Sequence, residues 1–221
     1  MGLILLGFCF AVVNPFSRGE NISWTAPDSN QLNSKRFQWE QGGDSNSGYD
    51  IISSNTLRIT AAPQTDRKIN LSGNNNNKQC PLIVFPVTGD FEASVKVSFQ
   101  SSTNFQRAAL GLRDANDKNK EVLLYLMENY RLEALRINSG KPERLADSVN
   151  HNSKVIYLKI KRQLGNVSLL YSTNGLQWSL AAPEFQFSLS NKVEIFFEVL
   201  SSHNPNTAVA EFSDFSLKQL K

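Results

Sequence analysis

The chain has few of the residue types on which most nucleophilic enzymes rely. Its 221 residues include two cysteines and two histidines. His151 and His203 both lie in turns rich in Asn and Ser, so a Ser-His-Asp or Cys-His arrangement would have to be assembled from loops. Cys80 is more typical of a small buried hydrophobe at the start of a strand than of a nucleophile, and a disulfide with Cys9 stays open. Composition therefore gives no support to catalysis by a thiol or a serine hydroxyl.

Charge of one sign is not concentrated anywhere along the chain. The 23 basic and 20 acidic residues leave a net charge of +3 and are spread rather than grouped in blocks. A nucleic-acid partner usually requires a stripe of basic residues that neutralises the phosphate backbone. The sequence therefore predicts no nucleic-acid partner.

The longest apolar run, residues 3–13, reads LILLGFCFAVV. It has the length of a signal-peptide core and is too short to cross a bilayer as a helix, so no transmembrane segment is predicted. It lacks a basic start and a small-residue cleavage site, which leaves an export segment and a first strand as alternatives. Cytoplasmic and exported locations are equally open. We divide the chain into an apolar segment with a turn-rich lead-in at residues 1–30 and a single domain at residues 31–221.

What the chain has in quantity is the alternation of apolar and polar residues that is typical of β-strands. Over residues 91–99, Phe, Ala, Val, Val and Phe alternate with Glu, Ser, Lys and Ser, which marks one buried face. Fourteen Phe against two Met also favour pleated strands. About a dozen such segments, separated by turn-forming residues, predict an all-β fold: a two-sheet antiparallel jelly-roll sandwich.

Residues 155–178 contain the clearest pair of strands. Apolar residues at 156, 158 and 160 share one face, and residues 167, 169 and 171 repeat this period after a Gly165-Asn166 turn. Asn174-Gly175 predicts a type I′ turn. Trp178 follows it as a large apolar side chain and is predicted to anchor the core.

Two other stretches compete as helices. Residues 121–136 are predicted to form a hairpin around a turn at residues 128–131, with a single helix as the alternative. Residues 141–149 leave a helix open as well.

An ordered set of segments resembles a known family. Six segments carry the resemblance: Phe37-Gln38-Trp39, Leu57-Arg58-Ile59, Asp66, Val87-Thr88-Gly89-Asp90-Phe91-Glu92, Gly111-Leu112-Arg113 and Tyr171-Ser172-Thr173-Asn174-Gly175-Leu176-Gln177-Trp178. Together they resemble the concanavalin A-like, laminin G-like domain family of unknown function, of the regulation-of-enolase and β-xylosidase C-terminal module type. The resemblance covers roughly residues 37–217, and it implies a two-sheet jelly roll without established catalytic residues. The family more often has Asp where Asn174 stands, which keeps the turn and removes a charge.

Acidic residues do not form a recognisable catalytic or metal site. The E-x-D-x-x-E run of laminarinase-like glycoside hydrolases is absent, and Glu194 and Glu198 share a strand face with Cα atoms about 13 Å apart. Glycosidase carboxyl pairs lie about 5 to 9.5 Å apart, so we interpret these two residues as a solvated face. The acidic loops at residues 44–50 and 114–119 lack the ligand spacing of an EF-type calcium loop and are more typical of Asx turns. We predict no catalytic residue, metal or cofactor.

The remaining candidate for a functional site is a binding face formed by outward-pointing residues of the predicted strands. If the even-numbered residues from 106 to 112 pack inward, Arg107 and Arg113 point outward from one strand, with Ala109 and Gly111 leaving a groove between them. Tyr125 then stands beside them on the next strand. Guanidinium groups and an aromatic plane suit the hydroxyl and carboxylate groups of a saccharide.

The same residues have a structural alternative, in which the face is solvated and Arg113 pairs with Asp114 or Asp117. Asp66, one of the residues that carry the resemblance, joins Arg107, Arg113 and Tyr125 as a predicted ligand-binding residue. Trp39 and Trp178 are interpreted as core anchors rather than sugar platforms.

The sequence therefore predicts a non-catalytic, lectin-like module that binds carbohydrate or another polar small ligand on a concave sheet. A protein-interaction or regulatory domain, working through loops such as residues 73–79, is the first alternative. A glycoside hydrolase of laminarinase-like fold is the second.

Overall fold

Alternating apolar residues line the inner faces of two sheets in the computed structural model, which describes residues 21–23, 37–40, 46–66, 78–101, 105–203 and 205–220. The strands are β1 (Asn21–Ser23), β2 (Gln38–Glu40), β3 (Gly48–Ser53), β4 (Thr56–Ala61), β5 (Thr65–Asp66), β6 (Lys78–Gln79), β7 (Leu82–Thr88), β8 (Phe91–Phe99), β9 (Gln106–Asp114), β10 (Glu121–Met127), β11 (Arg131–Asn138), β12 (Lys141–Arg144), β13 (Val149–Asn150), β14 (Val155–Gln163), β15 (Asn166–Ser172), β16 (Ser179–Leu180), β17 (Phe185–Gln186), β18 (Lys192–Ser201) and β19 (Ala208–Gln219). A short 3₁₀ helix spans Glu128–Tyr130.

The strands form two sheets. The first sheet has the order β16-β15-β14-β8-β19-β4-β3, with β1 beside β19 and β17 beside β15. In the second sheet β12-β11-β10-β9-β18 run side by side. The far edge of β18 then pairs with β7, which carries β2, and with β5, which carries β6. Only β5 and β6 pair in parallel among the described strands. The predicted antiparallel jelly-roll sandwich is confirmed.

The core lies between the sheets. In β8 all five apolar residues are buried and the intervening ones are half-buried, as the alternation predicts. Phe197 from the second sheet packs on Phe212 and Phe215 from the first, with ring centroids 5.1 and 5.3 Å apart. Trp39 packs against this core, so its predicted role as an anchor is confirmed.

The hairpin of β14 and β15 forms as predicted, but its turn lies one residue earlier. Leu164 and Gly165 both have positive φ, 51° and 81°, which is the type I′ geometry that matches strand twist. In the predicted turn pair Asn174-Gly175, only Gly175 has positive φ. The Asn174 side chain accepts hydrogen bonds from the Leu176 and Gln177 N–H groups at 2.9 and 3.0 Å, an Asx turn. The predicted type I′ turn at Asn174-Gly175 is therefore wrong.

The prediction for Trp178 is also wrong. Its ring lies on the outward face of the first sheet, where the Lys159 Nζ is 3.9 Å from the ring centroid. Lys159 alternates with Leu158 and Ile160, which are both in the core, so the ring belongs to the opposite side. The strand pattern could not place it because Trp178 lies in the turn between β15 and β16.

The two stretches that compete as helices are strands. β10 and β11 pair from Glu121 opposite Ile137 to Leu126 opposite Leu132, which confirms the hairpin and excludes the single helix. Residues 141–144 form β12 on the outer edge of that hairpin. No helix among the described residues is long and apolar enough to cross a membrane.

Several sequence predictions concern residues that the structure does not describe. The apolar run at residues 3–13, Cys9, residue 44 and most of the loop at 73–79 lie outside the described residues. Cys80 lies just before β7 and is buried, as predicted. The boundary at residue 30 stays a prediction.

Candidate functional site

Arg107, Arg113 and Tyr125 lie on one face, the outward face of the second sheet. Alternate residues of β9 enter the core, Ala108, Leu110 and Leu112, so Arg107 and Arg113 point away from it. In β10, Val122, Leu124 and Leu126 take the core, and Tyr125 lies directly opposite Ala109. The strand alternation thus placed all three side chains correctly.

The groove expected between the two arginines is filled. Phe196 of β18 lies opposite Gly111, and a Cβ added at Gly111 would approach the Phe196 ring to 2.0 Å. The ring occupies the space that the missing side chain leaves, and the Arg113 guanidinium lies 6.0 Å from its centroid. Phe196 belongs to a second buried apolar cluster on this outward face: Cys80, Leu82, Val84, Ala109, Leu123, Tyr125, Ile137, Phe196 and Leu200. The prediction of an open groove is therefore wrong.

Arg107 forms a buried ion pair. Its Nε donates to Glu198 Oε1 at 2.8 Å, and the Glu198 side chain is 0 % exposed. The guanidinium also lies 5.0 Å from the Tyr125 ring centroid. Burial by itself lowers the pKa of Arg107, but the charge of Glu198 and the neighbouring Tyr125 more than offset it, so the pKa is raised. Arg107 is therefore a permanent cation in this site.

Next to it lies a group that we name the Tyr125 cluster: Tyr125, Glu128, Arg131, Glu133 and Arg144. The Tyr125 hydroxyl donates to Glu133 Oε2 at 2.7 Å. Arg131 Nε and an Arg144 nitrogen lie 3.1 and 3.2 Å from Glu133 Oε1. Burial, and the hydrogen bond to Glu133, raise the pKa of Tyr125, so its hydroxyl stays protonated and can donate.

Two carboxylate oxygens of the Tyr125 cluster are buried without a hydrogen-bond donor. These are Glu128 Oε2 and Glu133 Oε1; for the latter the two arginine nitrogens are near but do not meet hydrogen-bond geometry. A buried acceptor without a donor costs about 1–3 kcal/mol. Arg131 and Arg144 are 37 % and 57 % exposed, so the cluster has an accessible cationic rim above anionic oxygens.

At the other end of the face is the Arg113 cluster: Glu40, Arg113, Lys118 and Glu194. Arg113 contacts Glu40 and Glu194 at 2.6 Å each, and Lys118 Nζ lies 3.1 Å from Glu40 Oε1. Burial alone lowers the pKa of Arg113, but the two carboxylates raise it above its ordinary value. Burial raises the pKa of Glu40, yet Arg113 and Lys118 bring it below its ordinary value.

Arg113 does not pair with Asp114 or Asp117, so that alternative is wrong. Asp114 instead accepts hydrogen bonds from the Asn116 and Asp117 N–H groups and from the Ser190 hydroxyl, at 2.8, 3.2 and 2.9 Å. Asp117 accepts from the Asn119 N–H at 3.1 Å. The loop at 114–119 is built from Asx turns, as predicted. Within the described ranges, no three His, Cys, Asp or Glu side chains are grouped as metal ligands.

Asp66, the fourth predicted site residue, lies in β5 near the Arg107 end of the sheet. Its carboxylate accepts from the Ser202 hydroxyl at 2.9 Å, and its backbone carbonyl accepts from the Cys80 N–H at 2.8 Å. Ser202 comes two residues after Leu200, which lies opposite Arg107. Asp66 is thus brought towards Arg107, whereas Arg113 lies at the opposite end of β9.

The sequence missed the carboxylates of this face. Glu194 and Glu198 were interpreted as solvated, but Glu198 is buried and both bind arginines. A signal was present in β18: Phe196 and Leu200 share the outward face with these carboxylates, and two large apolar residues are untypical of a solvated face. Glu133 carried no such signal, because its partners Tyr125, Arg131 and Arg144 come from β10, β11 and β12.

Comparison with known proteins agrees with this fold. A family model described as "Protein of unknown function (DUF1349)" matches residues 45–220. No curated protein matches the chain in a sequence search.

Three solved structures are similar. One is a functionally unknown protein from Saccharomyces cerevisiae, with a TM-score of 0.67, 13% identity, and coverage of 84% of this chain and 97% of that chain. The GH43 protein BlXynB from Bacillus licheniformis has a TM-score of 0.65 and 15% identity, and the match covers 85% of this chain but 40% of that chain. The carbohydrate-binding module CBM66 from Bacillus subtilis has a TM-score of 0.54 and 12% identity, and the match covers 84% of this chain and 98% of the module. At these identities the likeness is one of fold.

Proposed function

This chain belongs to the DUF1349 family of proteins of unknown function, and from that premise we propose that it is a non-catalytic, lectin-like module. Its ligand is a saccharide or another polar small molecule, bound on the outward face of the second sheet. The observation that carries the proposal is the Tyr125 cluster, where two exposed arginines, Arg131 and Arg144, are held by the buried Glu133 carboxylate. A ligand hydroxyl can accept hydrogen bonds from these exposed guanidinium groups.

The chemistry of the cluster suits sugar hydroxyl groups. A small number of fixed polar groups beside an apolar surface is typical of small-molecule sites. Here Arg131 and Arg144 offer planar donors, Glu128 and Glu133 hold these arginines in place, and the second apolar cluster adjoins them through Tyr125. The ion pairs among these groups fix their orientation before a ligand arrives, which lowers the entropy cost of binding.

Arg107, Arg113 and Asp66 have supporting roles in this proposal. The Arg107 guanidinium contacts the Tyr125 ring and so positions it, and it forms an ion pair with Glu198. Arg113, itself buried, orients Glu40 at the far end, where the partly exposed Glu40 and Lys118 form a second anchoring point. Asp66 lines the end next to Arg107. A ligand longer than one sugar unit would extend from the Tyr125 cluster along this face.

The fold of the solved structures supports the proposal at a coarse level only. CBM66 is a carbohydrate-binding module, and BlXynB is a GH43 protein. Two alternatives remain predictions: a protein-interaction domain acting through residues 73–79, most of which lie outside the described ranges, and a glycoside hydrolase using Glu194 and Glu198. The glycoside hydrolase gains no supporting contact, since both glutamates already bind arginines.

The test is a glycan array followed by calorimetry with the saccharide that gives the highest signal. Arg131→Gln removes one rim donor and leaves Arg144 beside Glu133, so we expect binding at least about tenfold weaker, the loss typical of one charge-assisted hydrogen bond. The matched control is Arg136→Gln on the same strand, because Arg136 points to the other side and lies 5.4 Å from the Phe185 ring.

An array without any bound saccharide contradicts the proposal. So does binding that Arg131→Gln leaves unchanged, or that Arg136→Gln weakens equally. Arg107→Ala is a poor probe, since it removes the cation that binds the fully buried Glu198 carboxylate, and breaking a buried ion pair costs about 3–5 kcal/mol of stability.

A further inference from the structure

The outward face of the first sheet carries lysines on three neighbouring strands. Lys96 is on β8, Lys159 and Lys161 are on β14, and Lys218 is on β19. Their sequence neighbours Val95, Val97, Leu158, Ile160 and Leu217 are in the core, so the lysines point outward. We name these four residues the lysine face.

None of the four lysines forms an ion pair with a described residue. Within the part of the chain that the structure describes, no carboxylate lies within 4.0 Å of any of these lysine nitrogens, as ion pairing would require. Glu92 stands opposite both Lys161 and Lys218 in the strand register. Glu184 accepts a hydrogen bond from Ser168, which lies opposite Lys161 on β15, so two acids face four bases. Burial lowers the pKa of Lys159, and repulsion from Lys218 and Lys161 adds to this lowering against the opposing effect of Glu92.

Aromatic rings, rather than carboxylates, hold two of these ammonium groups. Lys159 Nζ lies 3.9 Å from the Trp178 ring centroid, and Lys96 Nζ lies 5.9 Å from that of Tyr157. A cation–π contact orients an ammonium group and leaves its positive charge in place. The Tyr157 ring packs directly on Gly175: a Cβ added to this glycine would lie 3.0–3.2 Å from the ring atoms.

The positive surface has a definite extent. Along β8, Ser94 separates Glu92 from Lys96, and Ser216 lies opposite Ser94 on β19. Beyond Lys96, Ser98 borders an open cavity of about 470 Å³ where Arg58 is paired with Glu211 at 2.7 Å. Among the described residues, the unpaired charge therefore forms a patch of lysines with serine hydroxyls between them. Alternate residues of a strand are about 7 Å apart, so the patch spans several charged groups of an extended ligand.

We infer that the lysine face binds an anionic polysaccharide, a glycan chain that carries carboxylate or sulfate groups. Lysines supply the charge complement, and the serines supply hydrogen bonds for sugar hydroxyls between the charged groups. Nucleic acid fits less well, because the Trp178 and Tyr157 rings on which bases would stack are capped by lysines. This site goes beyond the proposed function: it lies on the opposite sheet and selects ligands by charge.

The experiment measures binding of the full chain to polygalacturonate, heparin and a neutral xylan by calorimetry at low and high salt. We expect polygalacturonate or heparin to bind, xylan not to bind at this face, and affinity to fall as salt rises. The double variant Lys161→Gln/Lys218→Gln should bind the polyanion roughly tenfold less tightly. Lys141→Gln/Lys192→Gln removes the same charge from two exposed lysines elsewhere and should bind as the wild type does.

Three results would overturn the inference. One is equal loss of affinity in the two double variants, which would make net charge the only cause. Another is no binding of either polyanion at low salt. The third is single-stranded DNA of equal charge binding as tightly as the polysaccharide. Arg131→Gln should leave polyanion binding unchanged, so failure here and failure of the proposed function can be told apart.

Discussion

Gly111 sets how closely two side-chain layers approach on the outward face of the second sheet. A methyl group there would overlap the Phe196 ring, with its nearest ring atom at 2.0 Å. Phe196 cannot retreat easily, since it is fully buried among the second apolar cluster. We predict that Gly111→Ala lowers the free energy of unfolding by about 1–3 kcal/mol, the usual cost of overpacking. Urea titration followed by tryptophan fluorescence measures it.

Gly48→Ala is the matched control for that variant. Gly48 is also a strand residue, the first of β3, but a Cβ at this position has no heavy atom within 4 Å. It should change stability by less than about 0.5 kcal/mol. A Gly111→Ala protein as stable as Gly48→Ala would show that the Phe196 ring moves freely, and the close packing of this face would then be refuted.

The directions of single side chains could be predicted from sequence, but their partners could not. Alternation alone places Arg107 and Tyr125 outward, because each residue of a strand points opposite to its neighbour. Glu198 pairs with Arg107 across 91 positions, and that contact depends on which strand lies beside β9 and in what register. The alternation of apolar and polar residues along one strand specifies neither its neighbouring strand nor the register of their pairing.

At the scale of elements, the β14–β15 hairpin offers a test of turn chemistry. Leu164 holds a φ of 51° at the first turn position and is 82 % exposed. A left-handed conformation is unfavourable for leucine and is tolerated by asparagine. Leu164→Asn should therefore raise the free energy of unfolding by about 0.5–1 kcal/mol, which thermal unfolding by circular dichroism can measure.

Leu176→Asn controls for the removal of an exposed leucine. Leu176 is 84 % exposed and is not among the residues with positive φ. Its replacement should leave stability within about 0.5 kcal/mol of the wild type. Equal stabilisation by both variants would assign the gain to lost surface hydrophobicity and not to the turn.

Strands were predictable where one face is core, and turns were predictable only in part. The nine residues of β8 show their alternation directly in the sequence. Asn174-Gly175 has the composition of a type I′ turn, yet the Ser172 hydroxyl accepts hydrogen bonds from the Asn174 and Gly175 N–H groups at 3.2 and 2.9 Å. These side-chain bonds select a different turn, and with it they place Trp178 on the outward face rather than in the core.

At the scale of the whole molecule, the two outward faces treat charge differently. The second sheet pairs each buried arginine with carboxylates, as Arg113 does with Glu40 and Glu194. The first sheet leaves Lys159 and Lys161 without acidic partners among the described residues. Charged groups held in ion pairs have fixed positions and can select polar ligands by geometry. Lysines without acidic partners instead attract anions over a longer range, and salt screens this attraction. One sandwich can thus present two ligand surfaces of different character.

Stability of the whole molecule should fall on the acid side of neutrality, and His151 starts that fall. Both of its ring nitrogens are buried without hydrogen-bond partners, and its ring lies 6.4 Å from that of Tyr130. Burial lowers the pKa of His151 from its ordinary value of 6.5. As pH falls through 6.5, the unfolded chain therefore binds a proton before the folded chain does, and the free energy of unfolding decreases.

A second decrease should follow at lower pH, from carboxylates whose pKa is lowered in the folded chain. Burial opposes the lowering in both Glu40 and Asp114, but Arg113 lowers the pKa of Glu40 and the Ser190 N–H lowers that of Asp114. Their stabilising effect is present above the ordinary values of 4.5 and 3.8 and is lost as pH falls through the folded values. The two decreases are separable because only the first depends on a histidine.

His151→Phe separates them, since it keeps a ring beside Tyr130 and removes the titrating group. The free energy of unfolding, measured by urea titration from pH 7.5 to 3, should fall less between pH 6.5 and 5 in this variant than in the wild type. Below pH 5 the two curves should run in parallel, because the carboxylates are unchanged. His203→Asn is the control for loss of a histidine elsewhere, because it replaces an exposed side chain at a positive φ of 49° that Asn tolerates, and it should follow the wild-type curve throughout. A His151→Phe curve that matches the wild type between pH 6.5 and 5 would mean that the buried ring does not limit stability, and the decrease would then belong to the carboxylates alone.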